Sequence, residues 1–121
     1  MARILVVDDD ALLTQLLETV LALDGHEIET ASTGLVALDK LARQAFDAVV
    51  TDVRMPQLDG IGLYRELTRR HPQLSRRVIF VTGASLSTDH ERTIAASGAV
   101  CLPKPIDLGR LRDAVRRIVP G

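Results

Sequence analysis

The chain has 121 residues, room for one domain spanning 1–121, and its 46% apolar and 26% charged residues are the make-up of a soluble globular fold. With 15 Lys plus Arg against 16 Asp plus Glu, the net charge of -1 gives no field to gather nucleic acid or an anionic membrane. Two Phe, one Tyr and no Trp leave little for base stacking, the lone Cys101 excludes an internal disulfide and fits a reducing cytoplasmic setting, and no apolar run is long enough to span a bilayer.

Met-Ala-Arg runs straight into a strand pattern, with no apolar h-region of a signal peptide. Ile4 to Val7 reads as a buried strand that ends in three carboxylates, Asp8, Asp9 and Asp10. Leu13, Leu16, Leu17, Val20 and Leu21 then recur at helical spacing; Asp10 suits the start of that helix and Gly25 its end. His26 to Thr30 is a short edge strand. A second helix after Ser32-Thr33-Gly34 carries Val36, Leu38, Leu41 and Ala42. Phe46 to Thr51 is a strongly apolar strand. The next helix follows Asp59-Gly60, carries Ile61, Leu63, Tyr64 and Leu67, and stops before Pro72. Val78 to Val81 is a strand. Thr88-x-x-Glu91 has the form of a capping box, opening a helix whose only large apolar residue is Ile94. Ala99 to Leu102 is the last strand. Leu108, Leu111, Val115 and Ile118 mark a final amphipathic helix.

The βα unit thus repeats five times, which predicts an α/β fold: a parallel five-stranded sheet, doubly wound, with helices on both faces. Ligand sites in such folds lie beyond the carboxyl ends of the strands. Those ends hold Asp8-Asp9, Thr51-Asp52, Val81-Thr82-Gly83 and Leu102-Pro103-Lys104-Pro105. In a sheet of order 2-1-3-4-5 these four strands are neighbours about 5 Å apart. Clustered carboxylates among oxygen donors suit a hard divalent cation, Mg²⁺ above all. Lys104 and Thr82 are suited to phosphoryl oxygens, and Asp52 is a carboxylate able to carry a phosphoryl group covalently.

Together, Asp8-Asp9, Asp52 within TDVRMPQLDG, Thr82 within VTG and Lys104 within PKP resemble the receiver domains of two-component response regulators, over essentially the whole chain. The resemblance implies a (βα)5 flavodoxin-like three-layer sandwich of order 2-1-3-4-5. It also implies that Asp52 accepts the phosphoryl group of a phosphohistidine, on a sensor histidine kinase or a histidine phosphotransfer protein. By the same resemblance Asp9 and Asp52 hold Mg²⁺, Asp8 assists, and the backbone carbonyl of Arg54 supplies a further oxygen. Thr82 follows the phosphoryl group, Lys104 pairs with acceptor and phosphate, and Lys104-Pro105 is a cis peptide bond. The implied partners include no nucleic acid and no membrane, and the implied state is a monomer or weak dimer. Such a domain assists its own phosphorylation and dephosphorylation and is not an enzyme of free metabolites.

The family commonly has an aromatic ring three residues before the Lys, where this chain has Cys101, and Gly98 to Lys104 is one residue shorter than usual. That leaves the loop after Thr82 and the sparsely apolar helix around Ile94 to report phosphorylation. GAVCLPKP, with the RMP and LYREL stretches, is closer to receivers appended to hybrid sensor kinases. An alternative, a Mg²⁺-dependent aspartyl phosphatase of haloacid dehalogenase type, requires Asp-x-Asp-x-Thr or Val, but Asp8-Asp9-Asp10-Ala11-Leu12 ends in Leu. A flavin-binding module would meet three acids where its phosphate should sit.

Cys101 reads as a small buried hydrophobe. His26, His71 and His90, and the pairs Arg69-Arg70, Arg76-Arg77 and Arg116-Arg117, read as surface residues. The first helix carries Leu12, Leu13, Leu16, Leu17, Val20, Leu21 and Leu23, more than one core stripe needs. Its wide face is either buried or a docking surface for a kinase helix bundle.

Overall fold

The computed structural model describes residues 2–83 and 86–119. Five strands alternate with five helices: β1 (Arg3–Val7), α1 (Ala11–Leu23), β2 (Glu27–Ala31), α2 (Gly34–Arg43), β3 (Ala48–Asp52), α3 (Gly60–Arg70), β4 (Val78–Thr82), α4 (Thr88–Ser97), β5 (Val100–Pro103) and α5 (Leu108–Ile118). All strand pairs are parallel, in the order β2-β1-β3-β4-β5. This is the predicted flavodoxin-like order. Strand bounds differ from the sequence reading by one or two residues. The largest difference is at β3, where Asp47 precedes the strand and its carboxylate accepts the Arg3 N–H at 2.8 Å.

Alternation along the strands separates two cores. Leu5, Val7, Val49, Val78 and Phe80 face α2, α3 and α4, meeting Ala37, Leu41, Ile61, Leu63, Leu67 and Ile94. Ile4, Val6, Val50, Ile79, Val81 and Leu102 face α1 and α5, meeting Leu17, Leu21, Leu111, Ala114 and Val115. The helices begin where short polar side chains can take orphan N–H groups: Asp10, Thr33, Asp59 and Asp107 each accept such a bond. Gly25, at φ 88°, ends the α1 turn, its N–H donating to the Ala22 carbonyl.

The capping box at Thr88 needs correction. The cap is Ser87, whose side chain accepts from the His90 N–H at 3.1 Å, and Thr88 is the first helical residue. The sparse apolar face of α4 is as expected: Ile94 is its one buried residue. A single buried Ile contributes about 1.5–3 kcal/mol, so this helix has little apolar anchoring.

The reading of the histidines as plain surface groups also needs correction. His26 Nδ1 receives the Ala2 N–H at 3.3 Å, and His90 Nε2 lies 3.3 Å from Asp59 Oδ2. Cys101 is half-buried rather than buried, packed on the α2–α3–α4 side of the sheet. Burial pushes its thiol pKa up, away from reactivity. The wide apolar face of α1 is not fully covered: Leu12 is 79% exposed, Leu16 46% and Leu23 81%. No helix among the described residues is long and apolar enough to cross a membrane.

Candidate functional site

Strand register brings the predicted residues together. Val7 is opposite Thr51, so Asp8 and Asp52 leave adjacent strands at the same level. Asp52 is opposite Val81, and Thr82 is opposite Pro103. The Lys104 N–H then donates to the Thr82 carbonyl at 2.8 Å, which fixes the Lys104 backbone beside the end of β4. The Lys104–Pro105 bond is cis, as the resemblance implied. A Cβ on Gly83 would lie 3.0 Å from Lys104 Cδ, so a glycine leaves the Lys104 stem its path.

The result is a compact cluster of charges. Carboxylate oxygens of Asp8, Asp9 and Asp52 all lie within 4.8 Å of one another. Asp8 and Asp52 are buried and Asp9 is exposed. Lys104 Nζ sits between the two buried acids, 3.0 Å from Asp8 Oδ2 and 3.2 Å from Asp52 Oδ2. The Asp10 N–H donates to Asp8 Oδ1 at 2.9 Å, while the Arg54 N–H reaches Asp52 Oδ1 only at 3.4 Å. Thr82 is half-buried at the rim; Ala84 and Ser85, in the loop after it, lie outside the described residues.

Burial and the Asp52 charge raise the Asp8 pKa, and the Asp10 N–H and Lys104 only partly offset them. For Lys104, burial pulls the pKa down, but its contacts with Asp8 and Asp52 outweigh that and hold it above the ordinary lysine value. One ammonium thus serves two buried carboxylates, and a third acid stands beside them. The donor set is three hard oxygen-bearing side chains with net negative charge, which fits a divalent cation of the Mg²⁺ type.

Two neighbours of the site carry no signal of it in the sequence. The pattern marks Gly60 only as a helix start, yet a Cβ there would lie 2.2 Å from the Asp52 carbonyl oxygen. The end of α3 is therefore seated on the backbone of Asp52. The Asp59–His90 contact joins the same helix end to α4, and nothing local in the sequence pairs those two residues.

A doubly wound sheet with acids and a lysine at its carboxyl edge defines a class of phosphoryl-handling α/β switch domains. The family model of the response regulator receiver domain matches residues 4–116, and the chain belongs to that family. It is thus a signalling domain, with the phosphoacceptor role of two-component systems. The transcriptional regulatory protein CpxR homolog of Haemophilus influenzae is 36% identical over 97% of this chain and 52% of its own length. This chain therefore spans about half the length of the curated relatives it matches. Among solved structures, chemotaxis protein CheY4 of Vibrio cholerae superposes with a TM-score of 0.85 at 29% identity, covering 98% of this chain and 99% of that one. Response regulator TrrA of Thermotoga maritima, in complex with Mg(2+)-BeF, gives a TM-score of 0.86 at 28% identity, covering 98% and 100%. The comparisons give no support to the haloacid dehalogenase alternative.

Proposed function

We propose that Asp52 is the phosphoryl acceptor and that residues 1–121 form one receiver domain around it. The observation that carries this is the placement of Lys104 Nζ between Asp8 and Asp52, with Asp9 beside them. A carboxylate oxygen of Asp52 attacks phosphorus of a phosphohistidine on a sensor histidine kinase or a histidine phosphotransfer protein. The O–P bond forms as the P–N bond breaks, and the imidazole nitrogen leaves with the bonding pair and takes up a proton. Lys104 pairs with Asp52 and the transferred group as a point charge, and Thr82 follows that group by donating to one of its oxygens. Asp8, Asp9, Asp52 and the Arg54 carbonyl would hold Mg²⁺, which supplies charge neutralisation for the acids and the phosphoryl oxygens.

The exposed Leu12, Leu16 and Leu23 on α1 supply the apolar surface on which the donor's helices seat beside Asp52. The setting is cytoplasmic, where such kinases keep their phosphohistidine, and the domain acts as a monomer or weak dimer. The hybrid-kinase context rests on the GAVCLPKP, RMP and LYREL stretches, whereas the curated relative named above is a regulator. The proposal is therefore confined to the receiver.

Intact-protein mass spectrometry after acetyl phosphate and Mg²⁺ tests the acceptor. Wild type should gain one phosphate mass, and Asp52→Asn should gain none while keeping its circular dichroism spectrum. Equal labelling of both proteins would move the acceptor to another residue.

A further inference from the structure

Position 101, where the resemblance implies an aromatic ring, carries a half-buried thiol. A second route from Asp52 to α4 exists on the other side of the acceptor. Gly60 lies against the Asp52 carbonyl, and its N–H donates to the Val53 carbonyl at 2.9 Å. The next residue back, Asp59, divides its carboxylate between two tasks. Oδ1 caps α3 by accepting the Gly62 N–H at 2.8 Å, and Oδ2 faces His90 Nε2 on α4 at 3.3 Å.

That contact matters because α4 has so little else. Apart from Ile94, its described tie to α3 is Arg65–Asp89 at 3.1 Å, between side chains 58% and 72% exposed, and such pairs hold weakly. The His90 side chain is only 22% exposed. Its Nδ1 is buried with no hydrogen-bond partner among the described residues, and the Asp59 carboxylate is the polar group that faces the other ring nitrogen. Two arrangements are open to the imidazole: seated against Asp59 with Nδ1 unpaired, or hydrated with α4 displaced. The seat has room to change. Arg54, Met55, Pro56, Asp59 and His90 line a cavity of about 330 Å³. Gln57, in the same loop, is held at φ 68°, where a side chain with a Cβ is disfavoured.

We propose that His90 is a positioning residue: its contact with Asp59 is a polar latch through which α4 follows the state of the acceptor loop. This rests on Asp52 being the phosphoacceptor. Phosphorylation shifts the loop that carries Arg54 and seats Gly60, and the Asp59 carboxylate moves with it.

The test is hydrogen exchange of peptides covering residues 88–97, with and without acetyl phosphate and Mg²⁺, in wild type, His90→Ala and His90→Gln. Intact mass is read on the same samples. Alanine favours helix more than histidine does, so intrinsic propensity alone would slow exchange in His90→Ala. The latch instead predicts exchange in α4 faster by about two- to fivefold without phosphate, the range expected for one partly buried polar pair. It also predicts that phosphorylation changes α4 exchange in wild type and that this change largely disappears in His90→Ala. Glutamine, whose amide nitrogen reaches where Nε2 does, should restore both. If α4 in His90→Ala exchanges as in wild type without phosphate, or if its response to phosphate is intact, the latch is overturned. A lack of mass gain in wild type would instead overturn the acceptor reading, and the phosphate-free comparison would still decide the contact.

Discussion

At the scale of single residues, the site is a balance that favours occupancy over stability. Asp8 is 3% exposed and its pKa lies above the ordinary carboxylate value, first because of burial. An acid whose folded pKa exceeds its unfolded one binds protons more tightly in the folded state. Its contribution therefore destabilises the metal-free protein at neutral pH, and that cost is recovered as pH falls through the folded pKa. Asp8→Asn removes the cost and keeps Lys104 paired with Asp52 at 3.2 Å, so no cation is stranded. Without Mg²⁺, its melting temperature at pH 7 should exceed wild type by roughly 2–5 °C, as expected for a gain near 1 kcal/mol in a domain of this size. The difference should shrink as the pH is lowered into the acid range. A lower melting temperature at pH 7 would show that the Asp8–Lys104 pair outweighs the desolvation of Asp8. The residues of this cluster were legible from the chain alone, because each follows an apolar run at a strand's carboxyl end. The Asp59–His90 pair was not, since 31 positions separate its members and neither sits at a strand end.

At the scale of elements, α3 matters more than its sequence shows. Its start at Asp59-Gly60 was legible as a cap followed by an apolar period, but its seating on β3 was not. Close approach of two backbones leaves no periodic trace in the sequence. Gly60→Ala would place a Cβ 2.2 Å from the Asp52 oxygen and 2.9 Å from Val53 Cα, both backbone atoms without a rotamer to yield. The end of β3 must shift, at a cost of about 1–3 kcal/mol for overpacking. Gly62→Ala, two residues on, meets the flexible end of the Leu58 side chain and serves as the comparison. In urea unfolding, Gly60→Ala should lose stability on that scale and label more slowly with acetyl phosphate, because Asp52 is displaced. Gly62→Ala should change stability little and label as wild type does. Equal behaviour of the two would mean that α3 is not seated on Asp52. The capping signal at α4 shows the opposite limit of sequence reading. Ser87 and Thr88 are both good caps, Glu91 made Thr88 the better box, and the structure settles on Ser87 through the His90 N–H.

At the scale of the whole molecule, the alternation of strand and helix made the architecture legible, because a buried parallel sheet needs continuous apolar runs and each crossover needs a helix. Surface exposure was less legible: the α1 pattern could not say which leucines the sheet would cover, and Leu12 and Leu23 remain outside. The same architecture makes cation binding a property of the entire fold, since Asp8, Asp9 and Asp52 come from two strands and approach one another only when the sheet is formed. An ion that binds the folded chain alone stabilises it by mass action, by about 1.4 kcal/mol at tenfold excess over Kd. For 121 residues that is a rise of roughly 4–6 °C in melting temperature. Asp9 is the residue with which to test this, because it is exposed and makes no ion pair among the described residues, so its loss should leave the ion-free fold intact. Asp9→Ala should melt no lower than wild type without Mg²⁺, because one of three like charges is gone, and should lose most of the Mg²⁺-dependent rise. If it keeps the full rise, the cation is held elsewhere and the acids at the strand ends serve Lys104 alone. If it loses the rise, the repulsion among these carboxylates is what the folded chain exchanges for a bound cation, and folding and readiness for phosphoryl transfer are one equilibrium.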